Sequence, residues 1–182
     1  MIASVDVSDI QIETERLILR PWKVSDLADF NAYAAADGVG EMAGWKHHES
    51  LEESREILQL FLREKKTLAI VHKHSGKVIG SLGLEDLDHP GTGDKVGREI
   101  GYVLSRDYWG RGLMPEAVSA VIVYCFRELS FDWLTCGHFL WNHQSARVVQ
   151  KCGFQYVQDY IRQTRLGTEE RTKVYILYNP YK

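Results

Sequence analysis

Between Glu99 and Ala117 the chain reads EIGYVLSRDYWGRGLMPEA, a strand-like run that leads into a glycine-containing turn and then a helix. A turn of that kind suits an anion. Gly110 and Gly112 accept backbone conformations that other residues disfavour, and they let amide N–H groups approach a ligand with no Cβ in the way. The first turn of the helix adds N–H donors without intrahelical partners and a partial positive charge. Charge-assisted hydrogen bonds of about 1.5–3 kcal/mol each outweigh a dipole term of about 0.3–1 kcal/mol, so the amides would dominate, with Arg111 as an added mobile cation. The absence of GxxxxGK[ST] excludes a nucleoside triphosphatase loop, and no GxGxxG with a downstream ribose acid marks a dinucleotide fold. On its own, GRG before a helix also describes an ordinary strand-to-helix turn.

Other residues invite chemistry less specifically. Asn142 and Ser145 stand three apart at the start of a second helical run, so they face one side of its first turn. Asn142 reads equally as an N-cap, and Ser145 as an ordinary first-turn residue. Glu99 and Glu85 lie on neighbouring strand-like runs, each open to a proton-accepting role or to a solvated edge position or salt bridge. His72 with His74, and His47 with His48, lack a third ligand at metal-binding spacing, which leaves them as surface or loop histidines and predicts no metal. Cys125, Cys136 and Cys152 form an odd set without CxxC spacing, so reduced thiols in or near a core are expected instead of disulfides or zinc.

These groups need a scaffold, and the apolar periodicity supplies one. Arg16–Arg20 alternates and ends at Pro21, predicting a first strand, and Ser25 offers an N-cap for a short helix ending in the alanines 34–36. Glu41–Ser50 is an aromatic-bearing loop that closes in a capping box, Ser50 with Glu53, ahead of a helix to about Lys65. Thr67–Lys73 and Lys77–Leu84 read as an antiparallel hairpin, His89–Gly93 as a loop and Glu99–Leu104 as a strand. A long helix follows Pro115, Trp133–Leu140 is a strand, Asn142–Lys151 a helix, and Phe154–Arg162 with Arg171–Tyr178 a closing hairpin around Gly167. Mostly antiparallel strands with interspersed helices define an α+β or mixed α/β domain.

A length of 182 residues, with no repeat or linker, predicts a single domain over 1–182. Hydrophobic residues at 45% and charged residues at 26% are globular values, and disorder is not expected. With 22 basic and 25 acidic residues the net charge is −3, so no global positive field collects nucleic acid or anionic lipid. The opening residues lack the order of a secretory signal, and the longest near-apolar stretch, Ala117–Phe126, is too short to cross a bilayer. A cytoplasmic protein with no membrane partner is the expectation.

YWGRGLMPEA followed some thirty residues later by NHQSARVVQKCGF resembles the GNAT N-acetyltransferase superfamily, in the branch that holds the ribosomal-protein N-terminal acetyltransferases. The resemblance extends from TERLILRPW (Thr14–Trp22) through GWKHHESLEES (Gly44–Ser54) to Gly153 and Phe154. It implies a twisted, mostly antiparallel seven-stranded sheet with about four helices, splayed where acetyl-CoA lies. Trp109, Gly110, Arg111, Gly112, Leu113 and Met114 would hold the pyrophosphate, and Tyr102, Val103 and Leu104 would pair with the pantetheine arm. Trp109 stands where the family signature has Gln or Arg, and Met114 where it has Gly or Ala; backbone donors survive both changes. Asn142 would bind pantetheine and Ser145 would protonate the leaving sulfur. Many relatives place a tyrosine four residues beyond this serine, but here that residue is Val149.

Glu99 is the preferred base, acting through water, with Glu85 as its rival, and Trp45, Glu85, His138 and His143 are candidates to line the acceptor pocket. The implied reaction is direct acetyl transfer from acetyl-CoA to a primary amine, either a protein N-terminus or a small molecule. A non-catalytic acyl-CoA-binding regulatory domain is the alternative. A homodimer is left open.

Overall fold

The computed structural model describes residues 1–87 and 92–182, so most of the loop expected over His89–Gly93 lies outside the described residues. Strands β1 (Ile12–Glu13) and β2 (Leu17–Pro21) precede helices α1 (Leu27–Ala34) and α2 (Leu51–Glu64). Strands β3 (Thr67–His72), β4 (Val78–Glu85) and β5 (Gly97–Leu104) lead to the long helix α3 (Leu113–Arg127). Strand β6 (Trp133–Phe139), helix α4 (His143–Lys151) and the hairpin β7 (Gln155–Gln163) and β8 (Glu169–Tyr178) complete the chain. The strands form one mixed sheet in the order β1-β2-β3-β4-β5-β6-β8-β7, antiparallel except for β5 and β6.

Alternation along the strands divides the apolar side chains between two helical layers. Leu68 and Ile70 of β3 face the cluster built on Val118, Val121 and Cys125 of α3. Ala69 and Val71 point the other way, into a cluster with Phe30 and Tyr33 of α1 and Leu58 of α2. The fold is thus the mixed α/β architecture expected, with three local corrections. There are eight strands rather than seven, because β1 pairs with β2 through only Ile12 and Glu13 and is too short to show a period. Helix α1 is not capped by Ser25: Asp26, held by Arg20 at 2.8 Å, accepts the Lys23 N–H and organises a 3-10 turn over Val24–Asp26. Helix α3 starts at Leu113, which makes Pro115 its third residue, still within the turn whose N–H groups have no helical acceptor.

The pairing of β5 with β6 is what opens a site. It runs through four residue pairs, Gly97 with Trp133 to Ile100 with Cys136, and stops. Beyond it, Gly101–Leu104 stay paired with β4, while Gly137–Phe139 stay paired with β8. The two strands therefore diverge, and each leaves one main-chain edge facing a wedge between them. Close contact at the other end is enforced by Gly97, where a Cβ would fall on the Trp133 carbonyl and indole ring.

Candidate active site

At the mouth of the wedge the chain turns from β5 into α3. A 3-10 turn over Arg106–Tyr108 gives way to Trp109, and then Gly110 and Gly112 take left-handed conformations with φ of 72° and 73°. Among the described residues, the N–H groups of Gly110, Arg111, Gly112, Leu113 and Met114 meet no protein acceptor. The side chains of Leu113 and Met114 are buried in the core, so these two residues offer the site their amides alone. Trp109 folds back, its indole N–H donating to the Leu104 carbonyl at 2.8 Å, and ties the turn to the end of β5. Arg111 is exposed and lies over the Tyr108 ring.

A brace invisible in the local sequence holds this turn. Glu116, in the first turn of α3, accepts hydrogen bonds from the Thr14 hydroxyl (2.6 Å), the Arg16 amide (2.9 Å) and the Arg16 Nε (2.7 Å). Arg16 also donates to the Arg111 carbonyl at 2.9 Å. Burial alone would push the Glu116 carboxyl up, but these donors outweigh it and hold its pKa below the ordinary value. The partners lie about a hundred residues apart, and no local spacing links them.

The wedge continues into a cleft of about 460 Å³, within the range of small-molecule sites. Tyr102, Val103 and Leu104 line it along β5, and Asn142 and Ser145 along the start of α4. Asn142 is the α4 N-cap: its Oδ1 accepts the Ser145 N–H at 3.0 Å and its Nδ2 donates to the Met42 carbonyl at 3.0 Å. Ser145 Oγ lies 2.7 Å from the Tyr102 hydroxyl. Burial, foremost, pushes the Tyr102 phenol well above its ordinary pKa.

At the far end of the cleft sits Glu99, 4% exposed. Its Oε1 accepts from Arg162 Nη2 at 2.6 Å, whereas its Oε2 is buried without a partner among the described residues. Burial, the largest single effect, lowers the pKa of Arg162, yet the charge and hydrogen bond of Glu99 together with those of Tyr160 outweigh it and leave it raised. Arg162 comes from β7, two strands beyond β6 in the sheet, and it passes over Gly137, which has no side chain to obstruct it. Sequence reasoning placed Arg162 at a strand end but missed its pairing with Glu99, because no local pattern marks a residue 63 positions from its partner.

The remaining candidates divide between the cleft and its surroundings. His138 lines the cleft, buried and stacked on Tyr175 at 5.4 Å. Glu85 faces Lys66 at 3.1 Å and is not among the cleft-lining residues. Trp45 is likewise set apart, packed against Gly40 and the ring of His48. His143 is exposed at the first position of α4. His47 acquires the company its spacing did not reveal: exposed Asp37 and half-buried Glu41 and His47 bring ligand-type atoms within 4.8 Å of one another on the segment after α1.

The model of the acetyltransferase (GNAT) domain matches residues 16–155. The chain is 30% identical over 178 residues to the N-acetyltransferase YoaA of Bacillus subtilis (strain 168), covering 93% of this chain and 97% of that one. A GNAT-family acetyltransferase from Bacillus anthracis superposes with a TM-score of 0.82 at 19% identity, covering 93% of this chain and 99% of the other. RimL, a ribosomal L7/L12 α-N-protein acetyltransferase solved with coenzyme A, superposes with a TM-score of 0.77 at 17% identity, covering 95% and 100%. The chain belongs to the GNAT acetyltransferase family, and it is an acetyltransferase enzyme.

Proposed function

We propose that this enzyme binds acetyl-CoA along the wedge and transfers the acetyl group directly to a primary amine, on a protein N-terminus or a small molecule. The observation that carries the reading is the set of acceptor-free amides from Gly110 to Met114, placed at the mouth of a cleft whose walls are two unpaired strand edges. Those amides suit a diphosphate. The exposed edge of Gly101–Leu104 suits an extended pantetheine arm, which would pair with it as an added strand.

In the reaction the amine nitrogen attacks the thioester carbonyl carbon, and the C–S bond breaks with its electron pair passing to sulfur. Ser145, at the start of α4, is the proposed proton donor to that sulfur. Glu99 is the proposed acceptor of the amine proton, through water; its donor-free Oε2 supports this, since a buried carboxylate oxygen normally has a hydrogen-bond partner. Protein N-termini are favoured as acceptors by the likeness to RimL, an α-N-protein acetyltransferase.

The test is thiol release from acetyl-CoA on adding small amines and N-terminal peptides, with the acetylated product identified by mass. Amine-dependent release is expected. Ser145→Ala and Glu99→Gln should each lower transfer by about a hundredfold while coenzyme A still binds. Binding without release with any amine would favour the regulatory alternative, and unchanged transfer in both variants would remove the two catalytic assignments.

A further inference from the structure

The side chain of Tyr102 plays no part in the scheme above, which uses only the main chain of its strand. Its hydroxyl nevertheless ends 2.7 Å from Ser145 Oγ, inside the cleft. Its other neighbours are the Ser145 carbonyl at 3.4 Å, a long contact, and the Cys136 thiol, a weak acceptor. A phenol is also more acidic than an aliphatic hydroxyl and is the stronger donor of the two. With the Tyr102 O–H donating to Ser145 Oγ, the Ser145 proton is left to point elsewhere. The Ser145 N–H is fixed in turn by Asn142, which anchors the backbone of this residue.

We infer that Tyr102 is a positioning residue for the proton donor: by donating to Ser145 Oγ it directs the Ser145 proton into the cleft and stabilises the charge that develops on that oxygen as the proton leaves. The inference rests on the acetyl-transfer reading and extends it. An aliphatic hydroxyl alone is a poor acid, and a proton moving from it to sulfur leaves negative charge on oxygen. Two groups meet that charge here, the Tyr102 O–H and the positive end of α4, in whose first turn Ser145 lies. The accounting is simple: the C–S bond breaks, sulfur takes the electron pair and then the Ser145 proton, and Ser145 Oγ regains a proton from solvent, with Tyr102 keeping its own.

A double-mutant cycle read by single-turnover transfer tests this. Tyr102→Phe is expected to lower the rate about 10- to 100-fold with the KM for acetyl-CoA within about twofold of wild type. Added to Ser145→Ala, the same change should cost less than about twofold, because there is no longer a hydroxyl to position. A loss that multiplies in the double variant, or that appears in KM instead of the rate, would overturn the inference by showing that Tyr102 only shapes the cleft. Incorporation of 3-fluorotyrosine at position 102 keeps the shape and strengthens the donor, and it serves if Tyr102→Phe fails to fold. A faster single-turnover rate is expected, and an unchanged one counts against the inference. Wild-type protein inert toward every amine would instead defeat the acetyl-transfer reading, and this inference with it.

Discussion

Arg162 reaches Glu99 because residue 137 is glycine. A Cβ there would stand 3.2 Å from the Thr172 methyl and 4.0 Å from Arg162 Nη2, and a larger side chain would block the guanidinium's path across the sheet. The pair costs desolvation at both ends, so removing one partner is expected to be worse than never having had the pair. Arg162→Met should destabilise the fold by about 3 kcal/mol in a denaturant titration, since the Glu99 carboxylate, already one donor short, loses the other. Transfer to amines should fall while coenzyme A affinity stays within about twofold, because Arg162 is remote from the phosphate turn. Equal loss of coenzyme A affinity would show that the pair shapes the whole cleft. Glu99 was legible as a candidate from its place on a strand before the glycine turn. Its partner was not, since an ion pair that reaches across two intervening strands leaves no trace in local spacing.

Among the elements, the strand-to-helix turn was the most legible in its geometry, because glycine announces left-handed turns that leave main-chain N–H groups without acceptors. Gly112→Ala places a Cβ at φ 73°, which strains the backbone by about 1–2 kcal/mol and turns the amides proposed to hold the diphosphate. Coenzyme A affinity is expected to drop about tenfold, whereas Gly153→Ala, at φ 81° with open space around it, should cost similar stability and leave binding intact. Calorimetric titration of both variants checks this; parallel losses would detach the turn from the ligand.

The loop after α1 makes a different prediction. Glu41 accepts from the amides of Gly38 (2.9 Å) and His47 (3.0 Å) and from the His47 ring (2.9 Å). Burial would raise its pKa, but these bonds prevail and bring it from 4.5 down to about 2. Unfolded chains therefore bind the extra proton first as the pH drops through this window. Glu41 adds stability above pH 4.5 that is lost toward pH 2, about 2 kcal/mol once its partial exposure is allowed for. Glu41→Gln should flatten that acid branch of the thermal midpoint against pH; an acid branch as steep as wild type would rule Glu41 out as its source. Helix and strand periods were readable, but the start of α1 was not, because Asp26 is held by Arg20 from β2 and Ser25 makes no cap.

Across the whole molecule, what escaped the sequence is long-range: the Arg16–Glu116 brace and the passage of Arg162 over Gly137 join segments whose order along the chain gives no hint of contact. The resemblance carried the splay of β5 from β6; composition and periodicity did not. Gly97 anchors the closed end of that splay. Gly97→Ala forces a Cβ into backbone and a buried indole that cannot swing aside, so about 3 kcal/mol of stability should be lost, and a fall below about 1 kcal/mol would mean the strands simply slide apart.

Because only four residue pairs couple β5 to β6, the protein has a seam running part way through its middle, with β1–β5 on one side and β6, β8 and β7 on the other. A molecule lodged there would act as stitching. Its occupancy would then register in heat resistance as well as turnover: at a hundred times its dissociation constant, bound ligand adds about 2.7 kcal/mol, and the melting temperature of the whole protein becomes a gauge of how well that seam is sewn.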